Sequence, residues 1–381
     1  METSHNVSVE GARVVIPGVD KYRVPEPLFE CVRVVLSHRG ETYSTDYIQG
    51  ISGAAFRIAG ICPCAPTCSF AMETPALAAL FGYEVKVERC EGGGWERGET
   101  NVAGQLAKMA EEGVLPDAQD ISQPDLKALR QRLQTLIDRT KAEVRAGRPV
   151  IFWHGFTTAE FDVVCGYDGE KKLLLGRGSY AGDSDEYAEA PETRAIGTAL
   201  VGGSPTTVLI GHKVRDFEVR TAEVAALCEA VKHGRSRKGI DVKDAAQWQM
   251  LDGIACYERW ARDFEAPDRK RGMGDAYCYG IVRRTHRSAA GFLREIAPRY
   301  PEAETHLNVA ATEFKKEAET LDTAEDLLGW NSSAEPDAER NRKTAAVLDE
   351  ATAAYTAGIA AIERAVESIG GVDAGSVNGT R

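Results

Sequence analysis

Glu160-Phe-Asp-Val-Val-Cys-Gly-Tyr-Asp168 is the stretch that decides how this chain folds. Its apolar run reads as a strand over 161–167, closed by turn residues. Gly147-Arg-Pro-Val-Ile151 lies just before it and opens another strand over 149–153. Residues 172–175 and 206–210 read as further strands of the same sheet. Far upstream, Pro27-Leu-Phe-Glu-Cys-Val-Arg-Val-Val-Leu36 reads as a helix, with Pro27 in the first turn, where its missing N–H costs nothing. Leu28, Val32, Val35 and Leu36 fall at helical spacing and face a core. The order is helix first and sheet later.

Working outward, 13–16 reads as a strand or an extended entry segment, 84–88 as a strand, and 102–112 and 125–146 as helices, the second with Leu126, Leu129, Leu133 and Leu136 among its apolar positions. Beyond about residue 213 the pattern changes. Apolar residues recur at three and four spacing through 221–231, 245–264, 277–296, 303–328 and 338–369, joined by short polar connections, which predicts an antiparallel bundle. The sequence therefore divides into an α+β domain over 1–215, an all-α helical bundle over 216–370 and a disordered tail over 371–381 that begins at Gly370-Gly.

Composition narrows the function classes. With 43% hydrophobic and 27% charged residues the chain is globular, and no apolar run approaches the ~20 residues that cross a bilayer. The first residues lack a basic region followed by an apolar one, so the expected compartment is the cytoplasm. A net charge of −12 repels phosphate backbones and anionic lipid, which argues against nucleic acid and membrane partners. The basic run 232–243 contains two glycines and reads as a solvated loop. Nine cysteines without a secretory signal read as reduced thiols. A homo-oligomer is compatible with all of this.

Cys31 in its helix, Tyr47-Ile-Gln-Gly-Ile-Ser-Gly-Ala-Ala-Phe-Arg57, Gly147-Arg-Pro-Val-Ile151 and Phe161-Asp-Val-Val-Cys-Gly-Tyr-Asp168, in that order, resemble the butirosin-biosynthesis protein H N-terminal family. That family looks like a relative of the papain-like, bacteriocin-processing cysteine peptidase fold. The resemblance implies a papain-like, bacteriocin-peptidase-like domain in the first half, with the attached helical domain often found beside it. It also implies cysteine-dependent acyl transfer, or hydrolase activity on an amide or thioester, toward a small-molecule or carrier-bound acyl substrate of specialised metabolism. Cys31 is the counterpart of the nucleophile. The catalytic histidine position corresponds to Glu160, and the strand where an Asp or Asn would orient that histidine ends in Leu175-Gly-Arg-Gly178. Two of three catalytic positions depart from the family pattern.

Each candidate has a structural and a chemical reading. Cys31 is either a small apolar packing residue or a nucleophile, and it lies slightly past the first helical turn, where the helix dipole would help a thiolate. Glu160 is a poor replacement for histidine, because a neighbouring carboxylate raises a thiol pKa; it could instead bind a substrate amine, hold Arg177 or act as base toward water. His154, at the end of a strand, is the alternative base, and His212 a weaker one. Ser52 superficially resembles a nucleophile elbow, but with Gly53 it suits tight packing, or oxyanion binding through backbone N–H groups, better. Cys62, Cys64 and Cys68, spaced C-x-C-x3-C, could hold zinc or another thiophilic metal, serve in thiol chemistry, or shape a plain loop; no cofactor is otherwise indicated. Gly92-Gly-Gly-Trp95 reads as a turn rather than a phosphate loop. Tyr257, Trp260, Tyr277, Tyr279 and His286 form an aromatic stripe that is either helical core or, through Tyr279 especially, a source of substrate contacts. A second function class follows from the same departures: a non-catalytic or metal-holding binding protein on a degenerate enzyme fold.

Overall fold

The computed structural model describes residues 7–58, 72–90, 123–157, 160–179, 186–195, 205–236 and 251–370. The expected helix over 102–112, the Gly92 turn, the Cys62, Cys64 and Cys68 cluster, most of the basic run and the tail lie outside these residues. The chain forms two compact units, Met1–Thr45 with Glu73–Phe217, and Asp46–Met72 with Glu218–Arg381. The sequence placed a single break near 214–220; the structure groups the segment that starts at Asp46 with the C-terminal helices instead.

The first unit is built on an antiparallel eight-stranded sheet. Its strands are β1 (Ser8–Glu10), β2 (Arg13–Val15), β3 (Tyr83–Arg89), β4 (Val150–Trp153), β5 (Phe161–Asp168), β6 (Leu173–Arg177), β7 (Ala188–Pro191) and β8 (Thr206–Lys213). They run in the order β1-β2-β5-β4-β8-β3, with β6 and β7 continuing from β5. β5 is the centre: it pairs with β2, β4 and β6, and every residue from Asp162 to Asp168 is buried. That burial explains why its sequence is a near-continuous apolar run rather than a clean alternation. Of the two aspartates in this run, Asp168 closes it and accepts from the Glu170 and Lys171 N–H groups of the following turn, whereas Asp162 lies among apolar neighbours and is the exception to explain.

Among the described residues three helices pack on the sheet, one of them the short Thr74–Leu80 against β3. The helix Gln123–Arg145 lays Leu133, Leu136, Ile137 and Val144 on it, with Lys141 and Arg145 reaching over the ring of Tyr167. The helix Pro27–His38 packs on β4 and β5 and is buried on nearly every side. Burying a helix all round forces its polar residues to pair. Arg33, 1% exposed, donates to Glu30 Oε1 at 2.7 Å, Asp20 Oδ2 at 2.7 Å and the Lys21 carbonyl at 2.6 Å, so its charge is fully met.

The second unit is helical. It contains helices Gly253–Asp263, Met273–Ile296, Glu304–Asp322, Glu325–Leu328 and Ala338–Ile369, preceded by Val219–Gly234. The stretch read as one helix over 303–328 is two, interrupted at Thr323 and Ala324. The long last helix ends at Gly370, whose φ of 79° closes the terminus in the left-handed conformation. From the N-terminal half, helix Thr45–Ile51 and the 3-10 turn Ala54–Phe56 supply Tyr47, Ile48 and Phe56 to this core. Phe56 meets Phe292 and Phe314 edge-on at 6.0 and 5.5 Å.

The contact is close at Gly50. A Cβ there would lie 2.0 Å from Phe292 Cγ, and Phe292 is 0% exposed and has no room to withdraw. Gly50→Ala is therefore expected to destabilise the helical unit by about 1–3 kcal/mol, the usual cost of overpacking. Urea titration followed by far-UV circular dichroism checks it. An unchanged midpoint would show that the ring moves aside freely.

Candidate functional site

Of the sequence candidates in the first unit, Cys31 lies on helix Pro27–His38 where it packs on β4 and β5, His154 just past β4, Glu160 just before β5 and Arg177 at the end of β6. Cys31 is 0% exposed, and its thiol donates weakly to the Leu28 carbonyl at 3.6 Å. The Thr74 hydroxyl donates to the same carbonyl at 3.1 Å. Burial pushes the thiol well above its ordinary pKa; the Glu30 and Asp162 carboxylates push it further, and the Val32 N–H and Thr74 hydroxyl offset only part. The Pro27–His38 helix does not help, because Cys31 lies beyond the turn where its dipole acts.

His154 sits just past β4 at the turn into β5, in the left-handed region with φ 68°, a conformation that costs a non-glycine residue on the order of 1 kcal/mol. Its N–H donates to the Glu160 carbonyl at 3.0 Å, which closes the hairpin, and its ring is buried against Trp153. Glu160 is half-buried at the start of β5. Arg177 donates to the Val19 and Glu186 carbonyls at 3.1 and 3.0 Å and stacks 4.2 Å over Tyr187, so it ties the sheet edge together.

Two residues that the sequence reading passed over complete the cluster. Tyr22, buried, donates to the Phe161 carbonyl at 2.9 Å and is the shared electrostatic neighbour of Cys31, Asp162, Glu30 and Glu160; burial first, and then those four groups, raise its phenol well above the ordinary value. Asp162, 0% exposed, accepts from the Phe156 and Thr157 N–H groups at 2.6 and 2.8 Å through one oxygen and so shapes the hairpin loop. Among the described residues its other oxygen has no hydrogen-bond partner. That oxygen lies against Gly178, where a Cβ would come within 2.3 Å of it. Burial raises the Asp162 carboxyl to about 7, against the pull of those N–H groups, the Thr157 hydroxyl and Arg194. A charged residue inside an otherwise apolar central strand was the signal that could have found it.

The remaining candidates belong to the second unit. The Ser52 hydroxyl donates to the Gln49 carbonyl at 2.8 Å and accepts from Ala54 N–H. Gly53, with φ 77°, uses its N–H on the Gly50 carbonyl at 2.9 Å, so the turn itself consumes the donor that an oxyanion would need. Tyr279 donates to Glu325 at 3.1 Å and lies under Arg283. Tyr257, Trp260 and His286 are buried core residues with polar partners, whereas Tyr277 packs edge-on against Trp330. Among the described residues no group of three or more His, Cys, Asp or Glu side chains could hold a metal ion, and none of their helices is long and apolar enough to cross a membrane.

The arrangement around Cys31 is thus a thiol among acids: Glu30 and Asp162 act on it, and Glu160 acts on the neighbouring Tyr22. Such surroundings hold a proton on sulfur and disfavour thiolate. No protein-family model matches the chain, and no curated protein sequence matches it.

Proposed function

We propose that this chain is a non-catalytic binding protein on a degenerate cysteine-peptidase-like layout, taking up a small molecule in the cytoplasm. The observation that carries this reading is the fully buried Cys31 thiol, whose pKa is raised by burial and by the Glu30 and Asp162 carboxylates. The resemblance to the butirosin-biosynthesis H family supplies the layout, a cysteine-bearing helix packed on a central strand pair, and the acidic Glu160 replaces the base that a thiol enzyme needs. The six described cysteines are all free thiols, in keeping with a reducing compartment.

The test is residue-resolved alkylation between about pH 5 and pH 9. Cys31 is expected to label at less than about a hundredth of its rate in the denatured protein, with no acceleration below the ~8.5 pKa of a free thiol. Fast labelling near neutral pH would overturn the reading.

One observation favours a second reading, cysteine-dependent acyl transfer or hydrolysis. Asp162 next to Cys31 has a pKa of about 7, where a proton-handling group works best. Cys31 Sγ would bond the acyl carbon as the Asp162 carboxylate takes its proton; the leaving amine or thiol would depart with that proton. A covalent acyl adduct on Cys31, found by mass spectrometry with simple thioesters and absent in Cys31→Ser, would establish this reading in place of the first.

A further inference from the structure

Away from the Cys31 cluster, the first unit carries a cleft of about 1120 Å³, larger than a drug-sized ligand requires. Its walls are the end of helix Gln123–Arg145, the β3–β8 edge and the residues that close helix Pro27–His38. Arg39, Lys86, Arg139, Arg145, Arg148 and Lys213 line it, against the acidic Glu84 and Glu143. In a chain of net charge −12 this is a local reversal of sign. The reversal is only partly neutralised.

Lys86 and Arg139 share one carboxylate, Glu88, at 2.6 and 3.1 Å. Arg148 pairs with Glu143 at 2.5 Å, and Lys213 with Glu41 at 2.7 Å. Among the described residues Arg39 and Arg145 pair with no carboxylate. Arg39 is held rigid instead: its two terminal nitrogens donate to the Gly211 carbonyl at 2.6 Å and to the Ile210 carbonyl, and it stacks 5.0 Å over Tyr83. Arg145 is an exposed residue of the cleft wall, with its guanidinium 5.1 Å over the Tyr167 ring. Arg39 stays a cation at a cost, because burial and then the neighbouring Arg148 lower its pKa.

We propose that this cleft binds a phosphorylated small molecule, with Arg39 and Arg145 as the guanidinium contacts and Lys213 and Arg148 as flanking charges. A guanidinium presents a planar pair of donors that matches two phosphoryl oxygens, and a preformed cleft whose lining carries more basic than acidic residues raises the local concentration of anions. The overall negative charge repels a long polyanion while leaving a small one free to enter, so the ligand is a metabolite and not a nucleic acid. The proposal does not depend on whether Cys31 reacts.

Inorganic pyrophosphate is the probe, titrated calorimetrically into the full chain at low salt. Saturable binding is expected, weakened at least tenfold in Arg145→Glu and in Arg148→Glu, both at exposed positions that should leave the fold intact. Arg294→Glu, an equal charge change at an exposed site on the helical unit, should leave the affinity unchanged. Absence of saturable binding would overturn the proposal, as would equal weakening by Arg294→Glu, which would mark a general charge effect. Citrate binding as tightly as pyrophosphate would overturn the assignment to phosphoryl groups.

Discussion

Glu317→Leu is expected to destabilise the helical unit by about 3–5 kcal/mol, the cost of breaking a buried charged hydrogen-bond network on one side only. Glu317 is 0% exposed on helix Glu304–Asp322. One of its oxygens accepts from the Tyr257 hydroxyl and lies 2.7 Å from His286 Nδ1, and the other has no hydrogen-bond partner among the described residues. The other nitrogen of His286 meets the Arg57 carbonyl at 3.1 Å. Leucine would strand the Tyr257 hydroxyl and remove the partner of His286 Nδ1 in a core where His286 stacks on Tyr355 at 5.3 Å. Glutamine keeps an acceptor, so Glu317→Gln should cost only about 1–2 kcal/mol. Trp260, buried and bonded to Asp275 at 2.7 Å, gives a fluorescence readout inside the same unit. Urea midpoints that failed to separate leucine from glutamine would show that the network contributes packing and little else.

That network also shows what the sequence could and could not reveal. The aromatic residues of the helical half were legible as core because their spacing is helical, but nothing in the spacing says that His286, Glu317 and Arg57 meet across such sequence distances. The sheet was legible wherever burial imposes an apolar run, as in β4, β5 and β8, and the helix Pro27–His38 was legible from Pro27 and its apolar positions. β1 and β7 were not: strands of three and four residues with exposed positions carry too little pattern. Helix Thr45–Ile51 was masked by Gly50, which is there because Phe292 packs directly over it. The break at Thr323 and Ala324 has neither glycine nor proline to announce it. Ser52 and Gly53 followed the glycines toward a catalytic reading, whereas the turn they form serves its own hydrogen bonds. Cys31 and Glu160 stood out by their place in the order of motifs. Asp162, which bears directly on the thiol's chemistry, did not, because its neighbours in the strand are apolar and only its partners in space give it meaning.

Asp162→Asn is expected to flatten the pH dependence of the first unit and to leave it more stable than the native protein at pH 8. The folded carboxyl titrates at about 7, above its ordinary 3.8, because burial disfavours its charge. Between those values the folded state holds a proton that the unfolded state has released. Its contribution to stability is therefore fully present below about 4 and is lost as pH rises through about 7, a difference on the order of 4 kcal/mol. Asparagine keeps an oxygen to accept from the Phe156 and Thr157 N–H groups and carries no charge to bury, so its advantage over aspartate should grow across that range and level off above it. His233 in the helical unit runs the other way: burial and then the Arg57 charge lower it to about 3, so its contribution is present above about 6.5 and is lost as pH falls toward 3. Unit-specific probes are needed for that reason, and hydrogen exchange at β5 amides supplies one. An Asp162→Asn advantage that stayed constant from pH 4 to pH 8.5 would refute the buried-proton account. The same variant reports on function: removing one of the two carboxylates that act on Cys31 should lower the thiol pKa and speed its alkylation, whereas an acyl transfer that used Asp162 as its base would be lost.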